Sequence, residues 1–159
     1  MVEVMTIGAY GWNAETFFDA LLRERVRTFY DIRQRRGVRG PEYAFGNSAR
    51  LQARLRELGI AYEHRIELAP SAAIRQRQYA EDERMGVGKR DRTQLGAAFA
   101  SAYAEECLDA FDAVTFLAEL DPVQPGCLFC VERDPAACHR SLVAEKLSAA
   151  GASVRHLLP

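Results

Sequence analysis

Apolar and polar positions divide the chain into segments with strand-like and helix-like patterns. Short apolar runs at 2–8, 26–32 and 126–131 predict strands, and the last run, which has no charge until its end, predicts a strand buried on both faces. The polar–apolar alternation of 61–68 predicts a strand nearer the sheet edge, with one face in water. A final strand is predicted at 153–158.

Capping residues and 3.6-residue periodicity place helices between these strands. Asn13 is a typical helix N-cap, Gly59 and Gly151 are typical residues beyond a helix end, and Asp134 followed by Pro135 is a helix-start signal. Helices are predicted at 13–22, 48–58, from 71 onward, 95–120 with a break near 108, and 134–150, and a loop is predicted at 86–91.

Strands that alternate with helices predict a mostly parallel sheet covered on both faces. We therefore expect an α/β protein in which residues 1–159 form a single-domain three-layer sandwich around five strands.

The composition is that of an ordinary globular protein, with 48% apolar and 27% charged residues in 159. No apolar run approaches the roughly 20 residues that a membrane span needs, and the first residues lack a basic segment followed by an apolar one. A cytoplasmic protein with no membrane partner is expected. The four cysteines are too sparse for a secreted disulfide framework, which favours free thiols.

Charge is distributed unevenly along the chain. Residues 20–65 hold eleven arginines and five acids, whereas residues 101–145 hold nine acids and two arginines. Arginine forms bidentate contacts with phosphate and carboxylate. The basic half is therefore either an anion-binding surface or a solvated face, and the sequence leaves both open.

Chemically capable side chains follow two of the predicted strands. Asp31 and Arg33 share one face at the end of the second strand, and Glu132 ends the buried fourth strand. In parallel sheets, ligands bind in the crevice outside the carboxyl ends of the strands, so we expect a site there. Each acid is either an acid–base group or half of a structural ion pair, with Arg33 or Arg140 as the expected partner of Glu132.

Candidate residues divide into two roles. Candidate catalytic residues are Asp31, Glu132, Cys138 and His64. Candidate ligand-binding residues are Thr6, Gly8, Tyr10, Arg33, Arg35, Arg36, His139 and Arg140. Arg140 is expected to reach Asp31, Glu132 or a bound anion. The two histidines and Asp31 could equally be structural.

The cysteines receive different predictions. Period two sends Cys127 and Cys130 to opposite faces of a strand, so both are expected to be core residues. Cys138 is expected in the first turn of a helix, where the helix dipole favours a thiolate, although simple packing is the alternative. Asp31, His64, Cys138 and His139 could bind a transition metal, but no close-spaced pair of ligands supports it, and no metal or cofactor is predicted.

Four groups of residues resemble the signature of a bacterial and archaeal family, the domain of unknown function 488. They are Thr6-Ile7-Gly8, Asp31-x-Arg33, Gly59-Ile60-x-Tyr62-x-His64, and Cys130-x-Glu132 followed by Cys138-His139-Arg140. The chain departs from the family pattern at Leu68-Ala69-Pro70 and Gln34-Arg35. The resemblance implies a compact α/β domain and no established activity.

Two functions of different classes follow from these observations. The first is an enzyme, a hydrolase or transferase, acting on a small anionic, phosphate-bearing or nucleotide-like ligand held by arginines. The second is a non-catalytic nucleic-acid-binding module that uses the arginine-rich half. A metal-dependent enzyme is a third possibility. The sequence does not predict the oligomeric state.

Overall fold

The protein is built on one five-stranded, fully parallel sheet. A computed structural model describes residues 1–88 and 91–159. The strands are β1 (Glu3–Ile7), β2 (Thr28–Asp31), β3 (Ala61–His64), β4 (Gly126–Phe129) and β5 (Ser153–Leu157), in the spatial order β3-β2-β4-β1-β5. The predicted α/β class is confirmed, and every neighbouring pair of strands is parallel.

Six α-helices are found in the described residues. They are α1 (Ala14–Arg23), α2 (Ser48–Glu57), α3 (Ala72–Met85), α4 (Ala97–Tyr103), α5 (Ala113–Glu119) and α6 (His139–Ala149). Short 3-10 turns cover Pro41–Gly46, Ile66–Leu68 and Pro135–Ala137, and a π-helical segment, Ala104–Leu108, continues α4. Lys89 and Arg90, in the loop predicted at 86–91, lie outside the described residues.

Consecutive residues of β2 show that helices cover both faces of the sheet. Phe29 contacts Phe17 of α1, with ring centroids 6.2 Å apart. Its neighbour Tyr30 contacts Phe116 of α5, at 4.9 Å. Adjacent residues of a strand point to opposite faces, so α1 and α5 lie on opposite sides, as a three-layer sandwich requires.

The central strand β4 brings its two neighbours to a common edge. Phe129, its last residue, pairs with Ile7 of β1 and with Asp31 of β2, which are themselves last residues. The segments that follow all three strands therefore emerge side by side at the carboxyl edge of the sheet.

The third strand is shorter than predicted, whereas the long helix breaks where the sequence predicts. The strand predicted over 61–68 ends at His64, because its only neighbour β2 stops at the paired residue Asp31. Ile66 is consequently half-exposed, although the alternation placed it on the apolar face. The helix predicted over 95–120 is interrupted, as expected, after Leu108.

The helix-start signal at Asp134 begins a 3-10 turn instead of the predicted α-helix. Asp134 caps the 3-10 turn of Pro135–Ala137 by accepting a hydrogen bond from Ala136 N, at 3.1 Å. Helix α6 begins only at His139. Cys138 is thus the N-cap residue of α6 instead of a residue in its first turn.

In the described parts of the chain, none of the helices combines the length and the apolar character that crossing a bilayer requires.

Candidate functional site

A cavity of about 610 Å³ opens at the carboxyl edge of the sheet. Its walls come from the segment after β2, from α3, from Gly88 and residues 91–99, from the segment after β4 and from the start of α6. A volume of about 300–1,000 Å³ is typical of a site for a small organic ligand. The crevice expected from a parallel sheet is therefore present at the expected edge.

Two thiols and an imidazole meet at the inner end of this cavity. Cys130 Sγ, Cys138 Sγ and one ring nitrogen of His139 all lie within 4.8 Å of one another. His139 Nδ1 is 3.6 Å from Cys130 Sγ and 3.9 Å from Cys138 Sγ. All three side chains are buried, yet all three line the cavity. We call these three residues the thiol–imidazole cluster.

The thiol–imidazole cluster shares its protons unequally. Burial opposes ionisation of Cys138, but a hydrogen bond from Cys130 and the positive charges of His139 and Arg140 lower its pKa well below the ordinary value. Burial, with the hydrogen bond to Cys138, raises the pKa of Cys130. Burial would lower the pKa of His139, but the charge and hydrogen bond of Cys138 raise it. These directions favour the charged forms of Cys138 and His139 and the neutral form of Cys130.

Glu132 lies beside the cluster in a buried network with Arg92. Cys130 Sγ donates to Glu132 Oε2 at 3.6 Å, and Arg92 Nη2 donates to Glu132 Oε1 at 3.1 Å. Arg33 or Arg140 was the expected partner of the Glu132 carboxylate, and this expectation is wrong. Arg33 binds the carboxylate of Asp31, and Arg140 donates to the backbone carbonyl of Glu132 instead of its carboxylate. Arg92, 40 residues away in the chain, holds the carboxylate instead.

Arg92 itself is fixed from several directions. Its Nη1 donates to Asp82 Oδ2 at 2.7 Å, and its Nε and Nη2 donate to the carbonyl of Ala137 at 3.1 and 3.0 Å. Asp82 also accepts from Gln78 Nε2 at 2.8 Å. Arg92 therefore connects α3, the 91–99 segment and the turn before α6, and sets the orientation of Glu132 at the cavity wall.

Asp31 belongs to a second network that is closed to the cavity. Arg33 donates from Nε and Nη2 to the two carboxylate oxygens, both at 2.8 Å, and Tyr62 OH donates to Oδ2 at 2.7 Å. Arg33 Nη1 donates to the carbonyl of Gly46 at 2.8 Å, and His64 Nε2 lies 2.8 Å from the Arg33 carbonyl. Arg33 reaches the cavity wall, whereas Asp31 and His64 lie behind it.

Thr6, Gly8 and Arg140 also lie behind the cavity. Arg140 is fully buried, and it donates to the carbonyls of Glu132 and Arg133 at 2.6 and 3.2 Å and to Thr6 Oγ1 at 3.2 Å. A Cβ on Gly8 would lie 1.9 Å from the Glu132 carbonyl oxygen. These residues hold the turn after β4 in place, and the expected reach of Arg140 to a carboxylate is not found among the described residues.

Arginines line the outer part of the cavity. Arg35, Arg39 and Arg75 join Arg33 and Arg92, so the described lining contains five arginines but only two acids, Asp91 and Glu132. Arg75 Nε is buried and has no hydrogen-bond partner among the described residues. Arg36, in contrast, is exposed and donates to Tyr62 OH at 3.4 Å, away from the described lining.

The structure brings some of the predicted site residues together and separates others. Six candidates line the cavity: Tyr10, Arg33, Arg35, Glu132, Cys138 and His139. Asp31, His64, Thr6, Gly8, Arg36 and Arg140 stand outside the described lining.

Three residues of the site were not identified from the sequence. Cys130 is buried in the core, as expected, but it also lines the cavity, because β4 ends at Phe129 and strand alternation no longer decides where Cys130 points. Arg75 lies in the predicted polar helix and Arg92 follows the predicted loop at 86–91. Neither segment has a periodicity that distinguishes these arginines from other basic residues.

The fold and the site together define a parallel α/β protein with an arginine-lined cavity and a thiol–imidazole cluster at the carboxyl edge of its sheet. The family model of a domain of unknown function, DUF488, matches residues 13–147. The chain belongs to this family, which confirms the resemblance. No curated protein and no solved structure matches the chain.

Proposed function

We propose that the protein is an enzyme that acts on a small anionic ligand, phosphate-bearing or nucleotide-like, bound in the carboxyl-edge cavity. The observation that carries the proposal is the combination, in one cavity, of an arginine-rich wall with buried, chemically reactive groups. Perturbed titratable groups in a cleft are typical of catalytic sites.

The charge of the lining supports an anionic ligand. Five arginines and two acids line the described cavity, and the guanidinium groups of Arg33 and Arg92 already bind carboxylates. Arg75 supplies a buried donor that has no partner among the described residues, and a buried N–H without a partner costs about 1–3 kcal/mol. A phosphate or carboxylate oxygen would satisfy it. Arg75 and Arg35 are therefore the proposed anion-binding residues.

The shape of the site favours a small ligand over a nucleic acid. The arginines line a concave cavity of about 610 Å³ instead of an exposed stripe. Non-specific nucleic-acid binding uses extended basic surfaces that neutralise several phosphates. A ligand held at the arginines would place its other end over Glu132 and the thiol–imidazole cluster. Glu132, oriented by Arg92, is the proposed acid–base group.

Ligand binding tests this proposal directly. Isothermal titration calorimetry or amide chemical shifts would measure affinity for inorganic phosphate, pyrophosphate and a nucleoside monophosphate. Arg75→Gln should weaken binding at least about tenfold, the usual scale for one charged hydrogen bond. Arg77→Gln is the matched control, because Arg77 is an exposed residue of the same helix, outside the described lining.

Two results would contradict the proposal. The first is an absence of binding at millimolar ligand, or equal losses in the two variants. The second is tighter binding of a single-stranded oligonucleotide than of the monophosphate, with affinity falling steeply as salt rises, since that behaviour defines the nucleic-acid-binding alternative.

A further inference from the structure

Two cysteine sulfurs and a histidine nitrogen form a donor set that the anion-binding proposal leaves unused. Cys130, Cys138 and His139 come from two segments, the one after β4 and the one that begins α6, and the fold brings them together. Thiolate and imidazole ligands favour zinc and similar thiophilic divalent ions, whereas magnesium and calcium prefer oxygen ligands.

A backbone hydrogen bond fixes the orientation of His139. His139 Nε2 lies 2.8 Å from the carbonyl oxygen of Ile32, which can only accept, so Nε2 carries a proton. Nδ1 therefore faces the two sulfurs. Histidine ligands of metal ions usually donate the other ring N–H to a carbonyl or carboxylate, and this contact fixes the ring and its tautomer.

The separations of the donor atoms fit a tetrahedral ion. Bonds of about 2.3 Å to sulfur and about 2.0–2.1 Å to nitrogen at the tetrahedral angle place sulfur and nitrogen about 3.6 Å apart. The observed separations from His139 Nδ1 are 3.6 Å to Cys130 Sγ and 3.9 Å to Cys138 Sγ. Both sulfur–nitrogen separations are therefore within a few tenths of an ångström of the tetrahedral value, and the two sulfurs lie within 4.8 Å of each other.

We propose that Cys130, Cys138 and His139 bind one zinc-class divalent ion, with a fourth coordination position open to the cavity. Three protein ligands with an open position are typical of catalytic metal sites, whereas structural zinc sites have four. All three ligands line the cavity, so an oxygen of a bound ligand can reach the ion. This role as the reactive centre rests on the proposed function, but metal binding itself does not.

Neighbouring groups are arranged to support the ion. Glu132 Oε2 is 3.6 Å from Cys130 Sγ, and Arg92 holds its other oxygen. Glu132 is thus in contact with one proposed ligand, Cys130, without belonging to the three-residue ligand group. The proposal assigns Cys138 the role of a ligand, which excludes its role as a free nucleophile in the metal-loaded protein.

Metal titration of the whole protein tests the proposal. The full-length chain is reduced, stripped of metal by a chelator and titrated with Co²⁺. We expect one ion per chain, with thiolate-to-cobalt charge-transfer bands and the visible bands of tetrahedral cobalt, and displacement by Zn²⁺. Cys130→Ser and Cys138→Ser should each lower affinity at least about 100-fold, because each removes a ligand. Cys107→Ser, a buried thiol outside the cluster, should leave affinity unchanged.

X-ray absorption of the zinc-loaded wild-type protein keeps the test independent of variants that fail to fold. The expected first shell contains two sulfurs and one imidazole nitrogen, plus one or more light atoms. A shell without sulfur, a stoichiometry far below one, or an equal loss in Cys107→Ser would overturn the proposal. Phosphate titration of the metal-free protein distinguishes the two proposals, because anion binding by Arg75 does not need the ion.

Discussion

Two buried acid–arginine networks follow adjacent strands, and only one of them has its carboxylate at the cavity wall. After β2, Asp31 is enclosed by Arg33 and Tyr62, so every carboxylate oxygen has a partner within the network. After β4, Glu132 is held by Arg92 on one side and contacts the Cys130 thiol on the other. We call these the closed network and the open network.

The difference lies in where the arginine comes from. Arg33 follows Asp31 by two residues, so its side chain folds back on the same strand end and is covered by the ring of Phe129, 4.6 Å away. Arg92 comes from a distant segment and spans the cavity wall to reach Glu132. A local ion pair closes its strand end, whereas a long-range ion pair leaves space between the elements that it joins.

The largest effect is expected from Asp31→Asn. The substitution keeps the shape of the side chain but leaves Arg33, which is 2% exposed, without a carboxylate. Removing one partner of a buried pair costs about 3–5 kcal/mol of unfolding free energy. Urea denaturation measures this loss. A loss below about 1 kcal/mol would show that the closed network is not structural.

A smaller effect is expected from Gly8→Ala. The added methyl group would meet the Glu132 carbonyl oxygen at 1.9 Å, so the turn that positions the open network must shift, at a cost of about 1–3 kcal/mol. Gly37→Ala is the control, because its Cβ would meet nothing closer than 3.7 Å. Thermal denaturation compares the variants, and equal midpoints would contradict the tight approach at Gly8.

A still smaller effect on stability is expected from Glu132→Gln, the counterpart of Asp31→Asn in the open network. Arg92 keeps Asp82 as a charged partner, so we expect a loss of about 1.5 kcal/mol, the scale of one charged hydrogen bond. Urea denaturation beside Asp31→Asn gives the comparison. If both variants lose the same free energy, the two networks are equally structural and the contrast fails.

A different, pH-dependent effect is expected at Cys107, a thiol remote from both networks. Burial and the neighbouring Glu106 carboxylate raise the pKa of Cys107 to about 12. The folded state therefore favours the protonated thiol, and this contribution to stability is present below about pH 9 and is lost as pH rises toward 12.

Alkylation followed by peptide mass spectrometry checks this assignment. At about pH 8, iodoacetamide should modify the cavity thiol Cys138 well before Cys107, because the pKa of Cys138 is lowered and that of Cys107 is raised. Cys107 should react only as the pH becomes strongly alkaline. Faster modification of Cys107 at about pH 8 would mean that Cys138 is not accessible from the cavity.

The parallel sheet and the location of the site follow from sequence patterns. Apolar runs, or polar–apolar alternation in the case of β3, predicted every strand. The parallel order of the strands then places the segments after β2 and β4 at one edge. The Asp31–Arg33 pair was also predictable, because strand alternation puts the two side chains on one face.

Long-range partners could not be predicted in the same way. The pairing of Arg92 with Glu132 depends on how α3 and the 91–99 segment pack at the carboxyl edge of the sheet, which local patterns do not specify. Cys130 was placed in the core because a strand was expected to continue to 131, whereas pairing with β1 ends at Phe129. Cys130 lies one residue beyond the paired residues of β4, in a turn that faces the cavity.

The position of β4 between β1 and β2 has a consequence for synthesis on the ribosome. Strands β1 and β2 do not pair with each other. Each pairs with β4, so this partner is missing until residues 126–129 have been made. The first 125 residues of the nascent chain therefore lack the middle of the sheet, and such non-local pairing slows folding. The segment that follows β4 carries Cys130 and Glu132, so these side chains reach the cavity wall only after β4 has joined its two neighbours.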